Sequence, residues 1–433
     1  MTEVDNRAGL KLRQRAAARL ADVLAGGEFA PFSAAEIADG RDRALGNRLV
    51  TTALRRHGHI NGAMARLLER GPPKRAGSFE AQLRLGLAQL LYLPEQGAHS
   101  AVHLAVEAVK RDPKASRYAA LMNAALRRAQ ADADSLRALP REMLLPRALQ
   151  QGWARDWGDE AVEAAIDNLL AGAALDLTLK DEDSELAAAL GARHLVADSY
   201  RVEERDRPVA ALPGYDEGRW WVQDVAAALP ARLLGLEPGA RVLDVCAAPG
   251  GKTMQLARAG YAVTALDNNA GRLLRLRENL DRVKLSADIV EADATSYRPA
   301  QPVDGILLDA PSSATGTFRR HPEVLWHRGA DRIANRAALQ RQLIAHAAGC
   351  LNPGGVLVYC VCSLERAEGE DHLAWVGKQV PELEAAPIAA AELGELAAAV
   401  TAAGTVRTHP GLVVPGDKRG ALDGFFIARF RRR

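Results

Sequence analysis

Four cysteines, Cys246, Cys350, Cys360 and Cys362, are the only thiols in the 433-residue chain, and all lie in its second half. They lack the dispersed spacing of a secreted disulfide framework. Cys360 and Cys362 stand closer together than zinc-binding cysteine pairs do, and no second ligand pair follows, so no metal site is expected. The thiols are expected to be reduced, with one available for nucleophilic chemistry. Four acids, Asp244, Asp267, Asp293 and Asp309, close four successive apolar runs: ARVLDV, YAVTALD, ADIVEAD and DGILLDA. A single such acid reads equally well as a helix cap. Four in succession point to one crevice at the carboxyl edge of a sheet, where a carboxylate can bind a ribose diol.

The first of these runs enters CAAPGGKTMQLARAG, a turn of small residues followed by a helix. Small residues let the backbone approach a ligand, and a helix N-terminus adds polarised N–H groups. The spacing of a Walker phosphate loop is missing, and Lys252 alone does not supply it.

The elements that must position these residues fall into two kinds. From residue 8 to 130, LKLRQRAAARLADVLAG, RALGNRLVTTALRRHGHINGAMARLLER, FEAQLRLGLAQLLYLP, AVHLAVEAVKRD and RYAALMNAALRRAQ carry apolar residues three and four apart. That spacing predicts an all-α bundle of five or more helices. Gly26-Gly27, Gly71-Pro72-Pro73, Pro94 and Asp112-Pro113 punctuate it. Over 140–214, PREMLLPRALQQGWARDWGDEAVEAAIDNLL reads as helical, and LDLTLKD, HLVADSYRVEE and PVAALPGYDEG as strand and turn. Beyond that, short apolar strands ending with GVLVYCVC alternate with helices LLRLRENLDRV and ANRAALQRQLIAHAAGCL, predicting a parallel sheet with helices on both faces. The expected division is 1–138 all-α, 139–214 a connecting α+β subdomain, and 215–433 an α/β domain.

At 48% hydrophobic and 25% charged residues, the composition is that of a packed globular protein. No apolar run approaches the roughly 18 residues that span a bilayer, and the N-terminus lacks an apolar signal-peptide core, so a cytoplasmic, non-membrane protein is expected. Residues 1–150 hold 24 Lys/Arg against 15 Asp/Glu, and the remainder 32 against 39. Such asymmetry fits a basic nucleic-acid-docking module joined to an enzyme, and equally a solvated helical surface.

The α/β half resembles the class I, Rossmann-like S-adenosylmethionine methyltransferases, and DVCAAPGGKT resembles the form used by RNA cytosine-C5 methyltransferases. The resemblance implies that Cys246, Ala247, Ala248, Pro249, Gly250, Gly251 and Lys252 hold the methionine end of S-adenosyl-L-methionine, with Asp267 at the ribose and Asp293 at the adenine. Cys246 is then a small packing residue. Cytosine C5 becomes nucleophilic only after a thiolate adds to C6. VLVYCVCSLERAEGED resembles the family's Thr-Cys-Ser element, with Val361 in place of the threonine, and the resemblance makes Cys362 the nucleophile. Cys360, two positions back on the same strand face, is the rival thiol and is expected to be structural.

ILLDAPSSATGTFRRHPEVLW resembles the family's D-A-P-C-S-x-T-G followed by R-R-H-P, with Ser312 where a second cysteine stands. In DNA cytosine-C5 enzymes that cysteine is the nucleophile, so its absence argues against the DNA class. In the RNA class it assists product release. Asp309 would hold cytosine N3 or the exocyclic amine, and borders the cofactor. Arg319, Arg320 and His321 read either as partners of RNA phosphates or as a solvated turn. The closing GLVVPGDKRGALDGFFIARF resembles the family's D-G-F-F strand pair. LRLGLAQLLYLPEQGAHSAVHLAVEAVKRDPKASRYAALMNAALRR resembles the NusB-like RNA-binding domain, in which Tyr92 and Asn123 serve packing or capping more readily than RNA contact.

Together these resemblances identify the chain with the 16S rRNA cytosine-C5 methyltransferase B family, implying RNA, 16S rRNA of the small subunit, as partner and no obligate protein partner. A methyltransferase of another RNA and a non-catalytic NusB-like RNA-binding factor are the alternatives.

Overall fold

The structure, a computed structural model, describes residues 3–203, 207–327, 329–412, 414 and 422–433. The chain forms two compact units: Met1–Gly152 with His321–His327, and Trp153–Arg320 with Arg328–Arg433.

In the first unit, helices Glu3–Leu24, Gly40–Arg55, His57–Leu67, Ala98–Lys110 and Ala119–Ala131 surround helix Phe79–Tyr92, and Ala133–Arg137 follows. Phe79–Tyr92 is central because it is apolar on most faces: Phe79, Leu83, Leu85, Leu87, Leu90 and Leu91 are all buried. The surrounding helices each turn one stripe inward, such as Leu12, Ala16, Leu20 and Val23, or Met122, Ala125, Leu126 and Ala129. The stretch read as one helix over 43–70 is two. The chain turns at Arg56 (φ −97°, ψ 15°), and the second helix buries His59, whose Nε2 lies 3.1 Å from the Pro140 carbonyl. Tyr92 packs against this core with the Arg56 guanidinium over its ring. Asn123 is exposed.

The helical reading of 140–170 resolves into a 3-10 turn at Arg141–Leu144 and helices Arg147–Trp157 and Asp159–Ala171, parted at Gly158, whose φ of 85° ends the first helix, and the second unit begins at Trp153 within that helix. A small antiparallel sheet follows, from β1 (Leu175–Leu179), β2 (Ala192–Val196), β3 (Ser199–Val202) and β4 (Trp220–Val222), in the order β2-β3-β1-β4. PVAALPGYDEG contributes a 3-10 turn at Val209–Ala211 and no strand. Pro208 and Pro213 there have no N–H to give a ladder. Glu204, at the end of HLVADSYRVEE, lies outside the described residues.

The large sheet comprises β5 (Arg241–Val245), β6 (Ala262–Asp267), β7 (Asp288–Glu291), β8 (Val303–Asp309), β9 (Leu351–Val361), β10 (Leu383–Ala385), β11 (Val406–Thr408) and β12 (Phe425–Arg432). Its order is β10-β12-β9-β8-β5-β6-β7, with β11 sharing the outer edge of β12 with β10. β5 to β9 are parallel, as expected. The sheet is nevertheless mixed, because β12 enters antiparallel to β9 and brings β10 and β11 with it. Of the closing stretch, Val413 and residues 415–421 lie outside the described residues. Strand order reverses between β5 and β8, so a crevice opens beyond the carboxyl ends of those two strands. Among the described residues no helix is long and apolar enough to cross a membrane.

Candidate active site

β5 ends in Val245 and hands over to Cys246, at φ 63°, and then to Gly250, at φ 104°, before helix Gly251–Arg258 begins. Only glycine takes the second value without strain. The helix starts with no side-chain cap, leaving its first N–H groups facing the crevice. Thr253 donates to Asp244 Oδ2 at 2.6 Å, while Asp244 Oδ1 is buried without a hydrogen-bond partner. Burial pushes the Asp244 carboxyl up to about 7. Asp267 accepts from the Ala248 and Asn269 backbone N–H groups (3.2 and 3.1 Å) and pairs with Arg272 at 3.3 Å. Asp293 is exposed beyond β7, where it accepts from the N–H and hydroxyl of Thr295, both at 2.8 Å. Three of the four acids therefore line the carboxyl edge, and Asp293 closes a local turn beside it. The uncapped helix start, the glycine turn and the orphaned oxygen of Asp244 fit a bound polar cofactor.

The reacting side of the crevice is formed by β8 and β9. Asp309 ends β8; Lys252 donates to its Oδ2 at 2.7 Å and the Cys360 thiol to its Oδ1 at 3.5 Å. Burial pulls the Lys252 ammonium down, but the Asp309 carboxylate together with Cys360 and Cys362 opposes it and the net shift is upward. Lys252 also lies 5.3 Å from the centre of the Phe425 ring at the start of β12. Cys360 is fully buried, whereas Cys362, one residue past β9, is partly exposed, with its Sγ 3.6 Å from Ser312 Oγ. Burial pushes the Cys362 thiol up to about 11. Asp309 adds to that rise, and the Ser312 contact and Lys252 oppose it. Cys246 is pushed by burial up to about 12. Cys246 and Cys362 are both partly exposed, so accessibility separates Cys362 from the buried Cys360, and the Ser312 contact separates it from Cys246.

A buried network under Cys362 went unnoticed in the sequence. Glu368 accepts from the Ser313 N–H (2.8 Å), the Ser363 hydroxyl (2.6 Å) and Gln340 (3.1 Å). Thr315 Oγ1 accepts from the Leu364 N–H at 3.1 Å, and Arg407 donates to the Ser363 carbonyl at 2.5 Å. The loops after β8 and β9 are thereby fastened together. Gly316 lies so near β12 that a Cβ there would stand 1.9 Å from the Gly424 carbonyl oxygen. Glu368 stands in the quoted ERAEGED, where nothing separates it from its acidic neighbours.

Arg319 is neither an RNA-facing group nor part of a solvated turn. It is 1% exposed and donates to Asp224 (2.7 Å) and Asp423 (3.0 Å), and Arg320 also donates to Asp423. Two buried aspartates attract the guanidinium more strongly than solvent does at this position. His321 Nδ1 lies 3.3 Å from Glu323.

A seven-strand order with one antiparallel strand set beside the fifth, over a crevice lined by acids, defines a class I S-adenosylmethionine-dependent methyltransferase. Residues 231–431 match the family described as 16S rRNA methyltransferase RsmB/F, and residues 12–131 match the NusB family. The chain is 36% identical over 411 residues to the ribosomal RNA small subunit methyltransferase B of Xanthomonas campestris pv. campestris, covering 90% of this chain and 89% of the relative. It is also 36% identical over 415 residues to the protein of the same name from Pseudomonas putida, covering 90% and 91%. The solved structure of PH0851 shares the fold at a TM-score of 0.74, with 20% identity over 97% of this chain and 99% of that one. The chain belongs to the 16S rRNA methyltransferase RsmB/F family, and is an S-adenosylmethionine-dependent RNA methyltransferase with a NusB-like helical domain.

Proposed function

We propose that this enzyme methylates C5 of a cytosine in 16S rRNA of the small ribosomal subunit, in the cytoplasm, with Cys362 as covalent nucleophile. The observation that carries this reading is the placement of Cys362, partly exposed and with its Sγ 3.6 Å from Ser312 Oγ, just past β9 and next to β8, whose terminal Asp309 carboxylate is held on both oxygens. The Cys362 thiol gives its proton to water, its Sγ bonds to C6 and the ring electrons move to C5, while Asp309 holds the N3 or amino edge and Lys252 steadies its charge. Bound S-adenosylmethionine supplies the methyl group that C5 takes. The C5 proton then leaves to a water or another base, the C6–S bond breaks, and its electron pair returns to sulfur. Ser312, 3.6 Å from that sulfur, is well placed to pass the proton on.

The cofactor reading places Cys246 to Lys252 and Asp309 around the methionine end, Asp267 at the ribose and Asp293 at the adenine. In the same reading, 1–138 docks RNA, 139–214 connects, and 215–433 performs the transfer.

The test is transfer of label from S-adenosylmethionine to unmodified 16S rRNA by wild type, Cys360→Ala and Cys362→Ala, with the product located by bisulfite sequencing. Label on one cytosine with the first two, and a loss of roughly a thousandfold or more with Cys362→Ala, is expected. Retained turnover in Cys362→Ala would end the covalent assignment, and label only on another RNA would end the substrate assignment.

A further inference from the structure

The helical unit carries a groove that none of the above uses. It lies between helices Ala98–Lys110 and Ala119–Ala131, has a volume of about 180 Å³, and is lined by His99, His103, Glu107, Lys110, Asn123, Arg127 and Gln130 among others. Spaced four apart on one helix, His99 and His103 present near-parallel rings, 11° between planes and 6.2 Å between centres. Across the groove, Asn123, Arg127 and Gln130, four and then three apart, share one face of the opposite helix. Lys110 is engaged by Glu107 at 2.8 Å, whereas Arg127 has no carboxylate partner among the described residues.

We propose that this groove binds one unpaired nucleobase of the RNA substrate, stacked against the His99 and His103 rings, with the flanking phosphate on Arg127. This rests on the chain being an RNA methyltransferase.

Three properties select an RNA base over other occupants. The volume falls below the ~300–1,000 Å³ of sites for drug-sized ligands and suits one ring system. Two carboxamides offer donor and acceptor together, as a base edge demands, and imidazole faces are stacking platforms for unpaired bases. Residues 98–131 hold six Lys/Arg against two Asp/Glu, a setting for a phosphate. The larger cavity, about 600 Å³, beside β2 lacks that setting: its Arg232 and Arg258 both pair with Asp198, and Asp181 and Glu182 add negative charge.

The experiment measures binding of the full-length protein to a fluorescent, unmodified 16S rRNA transcript by anisotropy, with a blunt RNA duplex as second probe. The His99→Ala/His103→Ala double variant is expected to bind the transcript about tenfold more weakly and the duplex unchanged. Phenylalanine at both positions should restore binding, because stacking needs the ring and not its nitrogens. Arg127→Gln should lower the slope of log affinity against log salt by about 0.7. Cofactor affinity and kcat at saturating RNA should hold in all of these variants. Unchanged transcript affinity in the alanine pair, or equal losses on transcript and duplex, overturns the proposal. Wild-type binding without methyl transfer to any RNA would instead count against the functional reading, leaving the groove to be decided by binding alone.

Discussion

Lys252 and Arg319 are both buried cations paired to aspartates in the catalytic unit, yet they face opposite situations. The partner of Lys252, Asp309, keeps 30% of its side chain exposed, and a neighbouring thiol takes its second oxygen. The partners of Arg319, Asp224 and Asp423, are 4% and 0% exposed, and Asp224 also caps helix Val225–Arg232 through the Ala226 N–H at 2.9 Å. A carboxylate left partly in solvent can exchange its partners for a substrate edge; one sealed on all sides can only hold the chain. Two adjacent motif arginines that read equally as RNA contacts or as a solvated turn thus tie the loop after β8 to the start of the last strand. The lysine in the cofactor turn instead reaches the reacting side.

The largest effect that would test this contrast is at the sealed pair. Arg319→Met leaves Asp224 buried without its cation and Asp423 with Arg320 alone, and should cost about 3–5 kcal/mol in urea unfolding. Burial, reinforced by Asp423, already raises the Asp224 carboxyl above its ordinary value, and removing Arg319 raises it further. A carboxyl raised in the folded state keeps its proton there between its ordinary and raised values, so stability falls as pH climbs through that window. The variant should therefore regain part of its loss as pH is lowered from 7 towards 5. A loss that does not vary with pH would show that the aspartates are not the cause.

At the open pair, Lys252→Met should lower kcat roughly a hundredfold and weaken S-adenosylmethionine binding in calorimetry by a smaller factor, because Lys252 serves Asp309 as well as the methionine end of the cofactor. Weak cofactor binding with kcat retained would leave Lys252 at the methionine end alone and remove its role toward Asp309.

What the sequence disclosed follows from how far apart the partners lie along the chain. The glycine turn and the strand-end acids are contiguous or nearly so, and the helical stripes repeat every three or four residues. The Arg319 partners are 95 and 104 residues away, and Ser313 is 55 from Glu368. No local pattern encodes such pairings. β10 and β11, three residues each, are likewise too short for an alternating pattern to register, and no local pattern fixes the direction in which β12 enters beside β9, so the sheet read as parallel. Asp293 shows the reverse limit: its position after a strand was plain, but its bonds to Thr295 are those of a turn.

Smaller effects concern the thiol that the open pair serves. With Cys362 pushed up to about 11, its thiolate is scarce at neutral pH in the free enzyme. Ionisation increases with pH, so kcat/KM for RNA should climb about tenfold per unit from pH 7 to 9 without levelling. A plateau near 7 would mean that Lys252 and Ser312 hold the thiolate more strongly than burial opposes it.

The smallest change expected is at Ser312, whose hydroxyl accepts from the Ala314 N–H at 3.1 Å and meets Cys362 at 3.6 Å. Ser312→Cys preserves volume and puts a more acidic group beside the adduct. If removal of the C5 proton limits turnover, the variant should raise the steady-state rate a few-fold while the first turnover is unchanged, as separated by single- and multiple-turnover kinetics. A slower first turnover would instead place Ser312 in the attack itself, holding the sulfur of Cys362 in the way that Lys252 holds Asp309.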